Sequence, residues 1–170
     1  MPHEFDPDAL HAAEADIRRR LADQPVDIEV QRATSNLYRA ASVVSRRAER
    51  EMLGDLGLSW SAFVSLWVLW VWGEMEAAPL ASECNLAKGT LTGMLTTLEK
   101  QELVRRTQHP ADKRRVLVGL TDTGYDSIEE LYPQFNQLET AFTQGLDDAD
   151  KVELARLLRR VITNAEDADA

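Results

Sequence analysis

The stretch LAKGTLTGMLTTLEKQELVRR at residues 86–106 decides the fold of this 170-residue chain. Apolar residues recur in it at helical spacing, and they are Leu91, Met94, Leu95 and Leu98. This spacing predicts a helix from Ala87 to about residues 100–102, with one face buried and the other polar. Before it, Pro79 suits the first turn of a short helix over Leu80–Cys84, and Asn85 tolerates the left-handed conformation of a tight turn.

The period changes after this helix, in the stretch that ends HPADKRRVLVGLTDTG at residues 109–124. Residues 103–107 and 115–120 are short runs rich in β-formers, and a polar link that contains Pro110 and Asp112 separates them. Such a pair predicts a β-hairpin. Two helices joined by a tight turn and followed by a hairpin form a winged helix-turn-helix, so the fold class is mainly α with a small β-hairpin wing.

The rest of the chain reads as helical on both sides of this motif. We predict a first helix from Asp6-Pro7 to the Gln24-Pro25 break, and a second from about Ile28 to Met52. A loop over residues 54–59 follows, and Ser59 is a candidate N-cap for the tryptophan-rich helix after it.

Two more helices are predicted at the C-terminal end. Thr121 is a candidate cap for a helix over about Gly124–Thr143, bent or broken near Pro133. The last helix starts after Asp147 or Asp148 and carries an apolar stripe; the tail NAEDADA is predicted to fray. The stripe consists of Leu154, Leu157, Leu158, Val161 and Ile162.

Composition excludes several classes of protein. A single cysteine rules out a disulfide framework, and the N-terminus lacks the pattern of a secretory signal, which together predict a cytoplasmic protein. The most apolar run, 14 residues at 60–73, is too short for a bilayer. The histidines at 3, 11 and 109 lack metal-ligand spacing, and no nucleophile–base set is evident. We therefore expect neither an enzyme nor a cofactor or metal.

Charge is distributed unevenly along the chain. The net charge is −10, but residues 85–118 hold seven basic and three acidic side chains, the only block with a positive balance. The two ends are strongly acidic. One basic segment in an acidic chain indicates a single face for an anion such as DNA.

The motif itself suggests which residues meet DNA. On the predicted recognition helix, small polar side chains lie opposite the apolar face, and a glycine allows close backbone approach. At the hairpin tip, cations suit a narrow minor groove of enhanced negative potential. These candidates are Lys88, Gly89, Thr90, Thr92 and Thr96 on the helix and Lys113, Arg114 and Arg115 in the wing; a merely solvated charge run and a polar helix face are the structural alternatives.

At this point the chain resembles the MarR family of bacterial transcriptional regulators. The resemblance rests on Asp112-Lys113-Arg114, on the motif Leu-Thr-x-x-Gly at residues 120–124, and on Leu-Glu-x-x-x-Leu-Val at the end of the recognition helix. It implies that Arg114 enters the minor groove, that Asp112 orients it through a salt bridge, and that Lys113 and Arg115 contact the DNA backbone.

The resemblance also implies an organisation and a mode of action. Residues 26–54 and 124–164 would be the dimerisation helices around a winged helix-turn-helix domain over residues 55–123, with an extra helix in residues 1–25 and a frayed tail at 165–170. Family members are homodimers, usually repressors, released by a small molecule or by oxidation. A two-fold dimer requires an inverted repeat in double-stranded DNA.

A ligand site is a further expectation. The tryptophan-rich helix puts Trp60, Phe63 and Trp67 on one face, and core packing is the default for such a stripe. In the family this helix borders a pocket, so an aromatic effector is the alternative, with Tyr38 and Arg39 as polar contacts. Ile17 and Val64 stand where the urate-responsive branch has its tryptophan and acidic residue, so urate is not expected.

Two alternatives stay open at this level. Cys84 is either a buried small hydrophobe or a redox switch, and no cationic neighbour in sequence lowers its pKa. The whole chain is either a DNA-binding regulator or a helical dimer, an antirepressor or adaptor, whose winged module no longer reads DNA.

Overall fold

The computed structural model describes residues 7–167 and divides the chain into two compact units, Met1–Arg47 and Ala48–Ala170. The first contains helix α1 (Pro7–Leu21) and all but the last residue of α2 (Ile28–Ala48). Asp27 caps α2 by accepting the Glu29 and Val30 backbone N–H groups. Helix α1 begins at the predicted proline; its predicted cap, Asp6, lies outside the described residues.

The second unit opens with irregular helical turns. A π-helical turn (Glu49–Leu53) and a 3-10 turn (Gly54–Leu56) continue the chain beyond α2, so the predicted loop from residue 54 is wrong for its first three residues. The turns end at Gly57, whose φ of 65° is left-handed. Helix α3 (Trp60–Trp72) follows, and Ser59 caps it as predicted, accepting the Ala62 N–H at 3.2 Å.

The winged helix-turn-helix then forms as the sequence predicts. Helix α4 spans Ala77–Glu83, Asn85 adopts a φ of 50°, and α5 spans Lys88–Lys100. Strands β2 (Val104–Gln108) and β3 (Val116–Leu120) pair antiparallel, with Arg106 opposite Val118.

The sheet has a third strand that the sequence analysis did not predict. Strand β1 (Met75–Glu76) pairs antiparallel with β3, which therefore lies between β1 and β2. Two residues are too few to show an alternating pattern, so only the pairing with β3 defines this strand.

Two helices complete the second unit. Helix α6 (Asp122–Phe142) passes through Pro133 without interruption, so the predicted break there is wrong. Leu131 and Phe135, buried on either side of the exposed Pro133, hold the helix against the core. Helix α7 spans Asp148–Asp167, so residues 165–167 are helical rather than frayed.

The core of the second unit lies where α3, α4, α5, α6 and the sheet meet. Its fully buried side chains include Leu66, Leu80, Leu91, Val118 and Ile128. Among the described residues, no single helix is long and apolar enough to cross a membrane. Only the segments Ile28–Leu56 and Trp60–Trp72, which are bent relative to each other, reach that length and apolarity as a pair.

Candidate nucleic-acid interface

The recognition helix α5 buries one face and exposes the other. Leu91, Leu95 and Leu98 are at most 2% exposed and fix the helix on the core. Every residue predicted to contact DNA from this helix is exposed, together with three that the prediction missed. The exposed set is Lys88, Gly89, Thr90, Thr92, Gly93, Thr96, Thr97 and Lys100.

Two glycines leave the middle of the exposed face without side chains. A Cβ added at Gly89 or Gly93 would meet no atom within 4 Å, so neither glycine is required by packing. A glycine inside a helix costs about 0.5–1 kcal/mol relative to alanine. Their presence on an exposed face therefore indicates a surface that another molecule approaches closely. Gly93 was missed, although an exposed glycine one turn after Gly89 is the signal that identifies it.

The N-terminus of α5 has no side-chain cap. Ala87 occupies the cap position in an extended conformation, so the first N–H groups of the helix lack the usual hydroxyl or carboxylate acceptor. Lys88, next to it, is exposed. A helix N-terminus with a free cation beside it is suited to bind a phosphate group.

The tip of the wing presents Arg114. Its side chain is 90% exposed, yet its Nε donates to Asp112 Oδ1 at 3.1 Å and its Nη2 to Asp112 Oδ2 at 3.3 Å. The Arg114 backbone N–H also donates to Asp112, at 3.0 Å. These hydrogen bonds lower the pKa of Asp112 below its ordinary value. The predicted salt bridge is therefore present in the structure.

The arginines at the base of the wing form ion pairs with carboxylates from other parts of the chain. Arg105 lies 3.5 Å from Glu74, Arg106 binds Glu99, and Arg115 binds Glu76 with its Nε at 2.7 Å. Glu74 precedes β1 and Glu76 belongs to it, so the unpredicted strand brings both carboxylates to the sheet. Arg115, predicted as a backbone clamp, is thus ion-paired within the protein.

Arg106 connects the wing to the recognition helix. Its Nε donates to Glu99 Oε2 at 2.7 Å, its backbone N–H donates to Glu99 Oε1 at 3.2 Å, and its Nη2 donates to Thr96 Oγ1 at 3.4 Å. The guanidinium lowers the pKa of the Glu99 carboxyl. Sequence reasoning missed this bridge, because it links a helix face to a strand seven residues later.

The Leu-Thr-x-x-Gly motif anchors the wing to α6. The Thr121 hydroxyl donates to the Glu102 carbonyl and accepts the Gly124 N–H, and the Thr121 N–H donates to the Leu103 carbonyl at 3.2 Å. Glu102 itself has a φ of 59°. A Cβ on Gly124 would lie 1.9 Å from the Leu103 carbonyl oxygen, so only glycine fits.

The residues predicted to bind a ligand fall into three settings. Tyr38 and Arg39 lie on α2 in the first unit, and Tyr38 is 76% exposed. In the second unit, Trp60 and Phe63 pack against Phe135 of α6, with ring centroids 5.5 and 5.0 Å away, which is core packing.

Trp67, the fifth of these residues, is half-buried and contacts Trp72 edge-on at 5.6 Å. A cleft of about 480 Å³ opens elsewhere in this unit, between the turns before α3 and helix α6, and none of the five residues lines it.

Cys84 lies at the junction of three helices. The buried hydroxyl of Ser65 on α3 lies 3.2 Å from its Sγ and 3.8 Å from the Met94 sulfur on α5. Burial raises the pKa of the Cys84 thiol. A raised pKa disfavours the thiolate that redox chemistry requires, and the setting favours the packing role.

Known proteins match both the sequence and this geometry. The model of the MarR family matches residues 58–116. An HTH-type transcriptional regulator of Bacillus subtilis, YwaE, is 36% identical over 158 residues, which are 91% of this chain and 92% of that protein.

Two solved structures carry the comparison further. BpsR of Bordetella bronchiseptica, whose DNA binding is regulated by 6-hydroxynicotinic acid, is 27% identical with a TM-score of 0.69 and covers 76% of this chain and 97% of its own. A mutant MarR from E. coli complexed with operator DNA is 26% identical with a TM-score of 0.68, covering 78% and 95%. The chain belongs to the MarR family of DNA-binding transcriptional regulators.

Proposed function

We propose that this protein is a homodimeric repressor that binds an inverted-repeat operator through α5 and the wing. The observation that carries the proposal is the concentration of unpaired or outward-facing cations around the exposed face of α5. Lys88 and Lys100 lie at the two ends of that helix, and Lys113 and Arg114 lie at the wing tip. The rest of the chain is acidic, so other faces repel DNA.

Each part of the interface has its own role in this proposal. The exposed face of α5 lies in the major groove, and its uncapped N-terminus binds a backbone phosphate. Arg114, held by Asp112, enters the adjacent minor groove. Lys113 contacts the backbone, and Arg115 supports the sheet through Glu76 instead.

The dimer is supported by helix α7. None of its described residues is buried within the chain, and four of the five residues of its predicted stripe are exposed, with Leu154 at 44% and Ile162 at 61%; Leu158 is half-buried. An apolar stripe of this kind is stable in water when a second helix covers it. We propose that residues 26–54 and 124–164 form the dimerisation helices, with half-site centres about 10–10.5 bp apart.

An aromatic effector is a second part of the proposal. BpsR is regulated by an aromatic acid, and the half-buried Trp67 offers this chain aromatic surface for such a ligand. A panel of hydroxylated aromatic acids, followed by intrinsic tryptophan fluorescence, tests it: a bound effector quenches or shifts the emission and weakens operator binding. Unchanged emission and operator affinity across the panel would contradict this part alone.

Salt titration of operator binding tests the main proposal. If Lys88, Lys100 and Lys113 of each subunit contact phosphates, a dimer forms about six such contacts, and log K falls with log salt with a slope of about −5. An inverted repeat selected from random duplexes should bind at least about 10³-fold more tightly than the random pool.

The control is the same repeat with five base pairs inserted between its half-sites, which should bind like random DNA. Absence of both the steep slope and the preference would instead favour the adaptor alternative.

A further inference from the structure

We propose that Thr92 and Thr96 read the operator through their γ-methyl groups, and therefore require the 5-methyl groups of thymine in the major groove. This inference rests on the proposed operator binding and specifies which chemistry α5 uses there. Thymine is the base whose major-groove edge carries a methyl group, and small apolar groups recognise it by contact rather than by hydrogen bonding.

The hydroxyl groups of both threonines are turned toward their own helix. Thr92 Oγ1 donates to the Lys88 carbonyl at 2.9 Å, and Thr96 Oγ1 donates to the Thr92 carbonyl at 3.0 Å. A hydroxyl has one proton, so neither side chain retains a donor for a base. With the oxygen directed at the backbone, the γ-methyl becomes the outer group of each side chain.

A second contact holds Thr96 in this orientation. Arg106 Nη2 donates to Thr96 Oγ1 at 3.4 Å, and the same guanidinium is fixed by Glu99. Rotating the hydroxyl toward DNA would break one bond to the backbone and one to Arg106. The wing base therefore determines which part of Thr96 faces outward.

The neighbours of these threonines favour a methyl contact as well. Gly89, Thr92, Gly93 and Thr96 stand at positions i, i+3, i+4 and i+7, which is one face of a helix. The two glycines have open space above them. None of these four residues carries a charge or a long side chain, so the two methyl groups can come into contact with base edges.

Thr90 provides a contrast within the same helix. It lies in the first turn and is exposed, and no side-chain hydrogen bond holds its hydroxyl among the described contacts. Its proton is available to a phosphate or a base. Valine, which keeps the shape of threonine and lacks the hydroxyl, should therefore be tolerated at 92 and 96 but not at 90.

The test uses the full-length protein and an operator selected from random duplexes. Each thymine of a half-site is replaced in turn by deoxyuridine, symmetrically in the other half, which removes only the methyl group. We expect one or two thymines per half-site whose replacement weakens binding about four-fold per half-site, the value of one buried methyl group.

The variants identify the residue behind that loss. Thr96→Val should keep the four-fold sensitivity to deoxyuridine, whereas Thr96→Ser should bind the thymine operator about four-fold more weakly per half-site and lose the sensitivity at the thymine that residue 96 contacts. Thr90→Val is the matched control, and it should weaken binding to the thymine operator and to the deoxyuridine operator equally.

Three results would overturn the inference while leaving operator binding intact. They are insensitivity of the wild type to every deoxyuridine, a selected half-site without thymine, and a loss of ten-fold or more in Thr92→Val and Thr96→Val. A wild type that prefers no sequence over random duplex would overturn the proposed function itself, so the two failures are distinguishable.

Discussion

The tip and the base of the wing use the same residue type for opposite purposes. At the tip, Arg114 is 90% exposed and its carboxylate partner, Asp112, lies two residues away. At the base, Arg105, Arg106 and Arg115 bind carboxylates supplied by other elements. The difference teaches that a basic segment in sequence is not yet a basic surface, because partners from elsewhere decide which cations remain available.

The largest expected effect comes from detaching the base of the wing from α6. Gly124→Ala should lower the free energy of unfolding by about 3 kcal/mol or more, because its Cβ would overlap the Leu103 carbonyl. Urea unfolding measures this. Gly93→Ala is the control, since its Cβ meets open space, and should raise the free energy of unfolding by about 0.5–1 kcal/mol. Equal stability of both variants would contradict the anchoring role.

Removing the cation at the tip should affect binding and not folding. Arg114→Ala is expected to weaken operator binding by about 1–3 kcal/mol at physiological salt. Its unfolding free energy should stay within about 0.5 kcal/mol of wild type, because the side chain is exposed. Fluorescence anisotropy and urea unfolding give the two values. An Arg114→Ala protein that binds the operator like wild type would exclude this residue from the interface.

Breaking the bridge at the base, in contrast, should lower the stability of the fold. Arg106→Ala is expected to cost about 1 kcal/mol of unfolding free energy at pH 7, a value kept small because solvent reaches the pair. Arg106 lowers the folded-state pKa of Glu99 below its ordinary value of 4.5. The pair therefore adds stability above that value, and loses it as pH falls through the folded pKa.

Unfolding at two pH values checks the sign. The difference in unfolding free energy between wild type and Arg106→Ala should be at its maximum at pH 7 and should shrink as pH drops well below 4.5. A difference that grows toward acid would show that Glu99 is not the group involved.

The smallest expected effect is the release of one arginine at the base. Glu76→Gln should free Arg115 and tighten operator binding by about 0.5–1 kcal/mol, with a salt slope steeper by about 2 for the dimer. Salt titration measures the slope. Glu83→Gln removes the same charge from α4, where no ion pair joins it to an arginine among the described residues, and should leave the slope unchanged. The same salt slope in both variants would show that the released Arg115 does not contact DNA.

Local sequence patterns predicted most of the fold and part of the site. Helix periodicity, the Ser59 and Thr121 caps and the change of period after α5 were read correctly, because each depends on residues within about one turn of each other. The Asp112–Arg114 salt bridge, which the resemblance to the MarR family implied, is also present. The break predicted at Pro133 was wrong, because the burial of Leu131 and Phe135 on either side of it outweighs the loss of one backbone hydrogen bond.

What the sequence by itself determined is the family, the winged helix-turn-helix and the location of the basic segment. Only the tertiary structure decided which cations of that segment face outward and which part of Thr96 does. Glu74 and Glu76 meet their arginines across 31 and 39 residues, and the sheet that joins them includes a strand of two residues. Contacts at such separations arise from packing, which no local pattern records.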